Sequence, residues 1–231
     1  MKLKLSLIIL LYFIEGVVSA QTQDSLIVEN SHTESVPIPI EAFAGNKAFT
    51  FQLLVTKQFS PESRFGFFNV TTFGGDYEEK NQSSEFYSQS MVTVQVWQSF
   101  SIAAGLSTFG SSNGTALTVR PTAGLQYLFA NNDFVIVIVP RIDLTQTYNF
   151  ETFAVLEYHP RLSKKWGIYT RLQGLYNYNT KWGFHEISSI YLRAGVSYHN
   201  IQFGLGSNHD FYGPDLNTVN NYGLFIRTEL F

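Results

Sequence analysis

From Leu117 the chain alternates. Leu117, Val119, Pro121, Ala123, Leu125, Tyr127 and Phe129 are apolar, and Thr118, Arg120, Thr122, Gly124 and Gln126 stand between them. Strand side chains point to opposite faces with a period of two, so such a run is an apolar face backed by a polar one. Tyr148, Phe150, Thr152, Ala154, Leu156 and Tyr158 repeat the pattern against Asn149, Glu151, Glu157 and His159. Ile190, Leu192, Ala194, Val196 and Tyr198 repeat it against Ser189, Tyr191, Arg193, Ser197 and His199. Helical spacing is hard to find, and the pattern predicts an all-β chain.

The alternation places strands at 47–59, 64–74, 84–97, 100–109, 116–130, 133–144, 148–159, 166–178, 184–199, 201–208 and 221–231. Most exceed the usual five or six residues of soluble strands and match the roughly 9–11 that cross a bilayer at a tilt. Joins at 60–63, 98–99, 130–132 and 199–200 are tight, whereas 75–83, 110–115, 179–183 and 209–220 are longer. Transmembrane barrels alternate short periplasmic turns with longer external loops; the joins at 145–147 and 160–165 depart from that rhythm. If 60–63 is periplasmic, an earlier strand must carry the chain upward. Ser35–Phe43 followed by Ala44-Gly45-Asn46 is the candidate, although Pro37 and Pro39 lack ladder donors. The expectation is a single transmembrane antiparallel up-and-down barrel over 35–231, of 12 strands by the even-number rule, with 10 as the fallback.

Residues 1–20 form a candidate export signal: Lys2 and Lys4, the apolar run Leu5–Ile14, and Val18-Ser19-Ala20 before Gln21. Ten apolar residues fall short of the ~20 that span a bilayer as a helix. Residues 21–34 are then a periplasmic N-terminal segment. Losing Lys2, Lys4 and Glu15 leaves 13 basic and 17 acidic residues.

Composition narrows the choice. Of 231 residues only 14% are charged while 16% are aromatic, and there is no cysteine, which removes disulfides, thiolate metal sites and cysteine nucleophiles. A pI near 5.9 argues against nucleic acid as a partner.

A soluble sandwich or lipocalin-like barrel would bury the apolar face, and a membrane barrel would turn it to lipid. The polar face carries Arg120, Arg141, Asp143, Glu151, Glu157, Arg171, His185 and Arg193. Hairpins centred near 131–132 and 146 put Arg120 about opposite Asp143 and Arg141 about opposite Glu151, so a charged belt crosses neighbouring strands. Tyr127, Phe129, Tyr148, Tyr158, Trp166, Tyr176 and Tyr198 sit near strand ends on the apolar face, as interfacial girdles do. The membrane barrel, with the belt lining its lumen and outer-membrane lipid against its outside, is the stronger expectation.

The final stretch, Asn221-Tyr222-Gly223-Leu224-Phe225-Ile226-Arg227-Thr228-Glu229-Leu230-Phe231, resembles the closing strand of Gram-negative outer-membrane barrel proteins, whose last residue is usually Phe. The resemblance implies a bacterial outer-membrane location and recognition of the strand ending at Phe231 by the assembly machinery. Here Arg227 and Glu229 occupy places in phase with Phe231 that the family usually fills with apolar residues.

Candidate chemistry is sparse. Ser197 and His199 share the polar face two residues apart, without an evident acid to orient the histidine as a base. His185 and Ser188 fall on opposite faces by parity. His209, Asp210 and Asp215, or Asp76, Glu78 and Glu79, could attract a cation, but a polar loop explains them as well. No cofactor motif is present. The sequence therefore points to a non-enzymatic barrel, either a narrow channel for small solutes or a structural envelope component. An enzyme acting on lipid and a soluble exported binder are the alternatives.

Overall fold

The computed structural model describes residues 37–77, 85–111 and 117–230. The export signal, the 21–34 segment, Glu78, Glu79 and Phe231 lie outside the described residues. Twelve antiparallel strands form a closed barrel. In chain order they are β1 (Ile38–Gly45), β2 (Ala48–Gln58), β3 (Phe65–Asp76), β4 (Glu85–Trp97), β5 (Phe100–Ser111), β6 (Thr118–Ala130), β7 (Phe134–Asp143), β8 (Phe150–Tyr158), β9 (Trp166–Asn179), β10 (Phe184–Tyr198), β11 (Ile201–Tyr212) and β12 (Asn217–Leu230). Each strand pairs with its chain neighbours, and β1 closes the ring on β12 with Phe43 opposite Phe225. Closure removes the unpaired edges that an open sheet would present. Pro39 is accommodated within β1, opposite Glu229.

Local chemistry sets the turns. At 131–133 the Asn131 Oδ1 accepts the backbone N–H groups of Asp133 and Phe134, at 2.9 and 2.7 Å, and reverses the chain in three residues. In the β11–β12 turn Gly213 takes a φ of 69°, open to glycine at no steric cost. That join is shorter than expected: β11 runs on to Tyr212 and β12 starts at Asn217, so 209–220 is mostly strand. The ladder continues because Asn208, His209 and Asp210 pair in register with Asn221, Asn220 and Val219. Polar residues thus extend the barrel wall where composition suggested a loop.

The apolar face looks outward. Ile102, Leu125, Ile138, Leu172, Leu192, Leu205 and Leu224 are exposed on the barrel's outside, while Arg141, Glu151, Glu157, Arg171 and Arg193 are buried within it. Aromatics gather at both rims. At the end where β1 begins and β12 ends, Trp97 stacks on Phe100, which meets Tyr127, and Phe134–Tyr158 and Trp166–Tyr198 continue the ring at 4.7 and 4.8 Å. At the far end Phe49 meets Phe73 and Tyr77, and Tyr176 meets His185. Phe129 belongs to the same rim as Trp97 and Tyr127. Tyr148, in the β7–β8 turn with a φ of 50°, is exposed at the far end.

Candidate functional site

The lumen is built from the inward face of the same alternation. At mid-depth it is filled by contacts that cross the barrel. Phe68 on β3 meets Phe153 on β8, their ring centres 6.2 Å apart. Leu54, Val70, Met91, Ala103, Val137, Val139 and Val155 pack around them, all buried. Facing this apolar wall, Glu41 Oε1 on β1 accepts from Arg171 on β9 and Arg193 on β10, at 2.8 and 2.9 Å. Arg227 on β12 reaches Glu157 on β8 at 3.1 Å and Glu229 at 2.7 Å. Tyr169 is fully buried and donates to Glu157 at 3.1 Å. The Arg193 guanidinium also lies over the Phe43 ring at 4.3 Å.

Nearer the far end a second ionic group forms. Arg141 bonds Asp143 on its own strand and Glu151 directly across the β7–β8 ladder, the latter at 2.7 Å. Arg120 reaches Asp143 at 3.3 Å. Asp143 stands opposite Thr122 and not Arg120, so that pair is a diagonal one. Tyr87 on β4 donates to Glu151 across the lumen, and Asn177 supplies another donor to it at 2.7 Å. Two arginines and two carboxylates balance one another in this group.

Above it lies a cavity of about 460 Å³ that opens at the far end. Its floor includes Val70, Phe153, Arg141 and Gln173, and its walls include Tyr87, Tyr191 and Tyr212. Below this floor the lumen is closed by the mid-depth packing. Barrels of eight strands are filled by side chains and those of 16–18 hold aqueous channels; this barrel of twelve combines a filled waist with a hollow vestibule.

One belt residue is misplaced by parity. His185 faces outward, because a β-bulge between His185 and Ile187 inserts Glu186 and reverses the alternation above it. Glu186 turns inward instead and accepts from Asn149 and Asn179 at 2.6 and 2.7 Å. The same shift puts His185 and Ser188 on one face, contrary to the parity expectation. The Nδ1–H of His185 donates to the Gly213 carbonyl at 2.8 Å, leaving Nε2 to accept from the Ser188 hydroxyl at 3.1 Å. Ser188 sits mid-ladder between Tyr176 and Phe211, and its backbone neighbours are committed to strand pairing. Ser197 and His199 are separated: Ser197 points inward, and His199 occupies the β10–β11 turn with a φ of 54°. His209 and Asp210 point to opposite faces, His209 bonding Asn220 at 2.7 Å outside and Asp210 accepting from Tyr191 at 3.1 Å inside.

Glu41, Arg227, Tyr87 and Tyr169 were missed from the sequence. The phase of Arg227 and Glu229 with the terminal residue is the available signal: positions that the usual closing strand makes apolar are charged here because Arg227 meets Glu157 inside the barrel and Glu229 pairs with Arg227.

An apolar outer belt, two aromatic rims and an ionic interior on a closed single-chain barrel define a transmembrane protein of the outer-membrane type. The chain is built as a transmembrane β-barrel. No family model matches it, and no curated protein does. Among solved structures, it is similar to the NanC porin, at 15% identity and a TM-score of 0.46 over 84% of this chain and all of that one. It is also similar to the KdgM porin, at 14% identity and a TM-score of 0.44 over 85% of this chain and all of that one. OpdK of Pseudomonas aeruginosa is similar at 11% identity and a TM-score of 0.37, over 75% of this chain and 65% of that one. These likenesses concern the barrel fold alone.

Proposed function

We propose that the protein is a narrow, gated channel for small solutes, which enter the vestibule from the cell exterior. The observation that supports this most directly is the arrangement along one axis: a cavity of about 460 Å³ opening at the far end and stopping at the Phe68–Phe153 contact. We take the far end as external, since transmembrane barrels carry short turns on the periplasmic side and longer loops outside. Passage requires the cross-lumen contacts to part. Solute then moves between a wall of apolar side chains and one of fixed charges, where lining charge sets the preference for sign.

The test is planar-bilayer recording of the purified barrel. Wild type should be quiet or show rare, small steps, and Phe68→Ala with Phe153→Ala should raise conductance by removing the ring contact at the waist. No current from either protein would remove the channel reading. The filled waist itself favours one rival, a structural envelope barrel, and that result would leave it standing.

A further inference from the structure

Among the described residues, the charges lining the vestibule do not balance. Arg120, Arg141, Asp143 and Glu151 satisfy one another, as described above. Three other carboxylates in the lining, Glu85, Glu186 and Asp210, are held by neutral donors. Tyr212 on β11 donates across the lumen to Glu85 on β4. Asp210 accepts from Tyr191 at 3.1 Å and from Ser189, and Glu186 accepts from the two asparagines already named. Among the described residues no arginine or lysine is bonded to any of the three. Lys47 and Asp76 complete the charged lining.

A second observation points the same way. Gln173 is only 5% exposed, lies in the cavity lining opposite Tyr191 in the β9–β10 ladder, and its Oε1 has no hydrogen-bond partner. A buried acceptor left without a donor is costly. The vestibule therefore offers acceptors in excess, carboxylate and amide oxygens together, beside the rings of Tyr87, Tyr191 and Tyr212. Its narrow walls concentrate the field of the carboxylates. An anion finds repulsion there, and a neutral polyol leaves the charge uncompensated. A cation bearing several N–H donors fits on both counts, and tyrosine faces favour it further.

We propose that the vestibule binds small organic cations carrying primary ammonium groups, with Glu85 and Asp210 as the charged partners and Gln173 Oε1 as a neutral acceptor. The proposal names a substrate class for the channel and rests on the same cavity, but binding is measured without conduction. Calorimetric titration of the folded full chain in detergent, with putrescine as the probe and glutarate as the anionic control of similar length, tests it. Putrescine should bind and glutarate should not. Glu85→Gln and Asp210→Asn, singly or together, should each weaken putrescine by about tenfold, and Gln173→Leu should weaken it less. Heat-modifiable gel mobility identifies variants that remain folded, and the single variants serve if the double one does not fold. Absence of putrescine binding, equal binding of glutarate, or unchanged affinity in the folded Glu85 and Asp210 variants would overturn the proposal. Binding without current would instead remove the channel and keep the site, while current without binding would do the reverse.

Discussion

At mid-depth the lumen has two unlike walls. On β2–β8 it is dry, with Phe68, Met91, Val137, Val139 and Phe153 nearly or completely buried. On β9–β12 and β1 the same depth is filled by Glu41, Arg171, Arg193 and Arg227 with their partners. Both walls exclude water, but they tolerate error differently. Trimming an apolar group forfeits its buried area and leaves a small void. Removing one member of a buried ion cluster leaves the other charges without compensation, at a much larger cost. The waist should be forgiving on one side and brittle on the other.

The largest effect is expected at Glu41. Its Oε1 accepts from two guanidiniums, so Glu41→Gln strands both. Arg193 retains Asn208 at 2.8 Å and two backbone carbonyls, whereas the Nε of Arg171 has no partner among the described residues. A loss of roughly 3–5 kcal/mol is expected, the range for breaking a buried pair, read from reversible urea unfolding in lipid vesicles. A loss below about 1 kcal/mol, typical of exposed pairs, would show that water reaches the cluster.

Val139→Ala supplies the matching measurement on the dry wall. It deletes two carbon groups at about 0.8 kcal/mol each, plus part of a cavity term, giving roughly 2 kcal/mol. If the two variants lost equal stability, the contrast between the walls would disappear. If Val139→Ala also raised conductance while Glu41→Gln did not, solute would pass along the dry wall.

The sequence carried the barrel well because a bilayer and a lumen enforce opposite polarity on alternate residues. Arg141 and Glu151 could be paired from a single assumed hairpin centre, since the β7–β8 turn fixes their register. The dry wall was hidden: Phe134–Val139 is apolar on both faces, so alternation is silent about which of its residues turn inward. His185 was misassigned because a bulge at Glu186 shifts parity without a mark in the hydrophobic pattern. Glu41 and Arg227 escaped because their partners lie up to four strands away around the ring. The vestibule is likewise a property of closure, made by Glu85 on β4 facing Tyr212 on β11, and no local pattern reports such a meeting.

The smallest expected effect concerns polar groups on the other side of the wall. On the lipid face of β3 and β4, midway between the aromatic rims, Asn69, Thr71, Ser88 and Ser90 form a seam. Asn69 Nδ2 donates to Ser90 Oγ at 2.9 Å and to the Gln89 carbonyl at 3.1 Å, Thr71 donates to Asn69 Oδ1 at 3.1 Å, and the Thr71 and Ser88 hydroxyls are 2.8 Å apart. Lipid offers these groups no partners, so they satisfy one another, as polar side chains in hydrocarbon must. Unlike the ion cluster at Glu41, the seam holds no charge. Thr71→Val leaves Asn69 Oδ1 short of a donor but gains a methyl against lipid. The net loss should be about 0.6 kcal/mol and not above about 1.7, with a double-mutant cycle against Ser88→Ala isolating the hydroxyl pair. A loss near that of Glu41→Gln would mean that the seam is not facing lipid at all, because only a site sealed by another protein surface would make one neutral hydroxyl so costly.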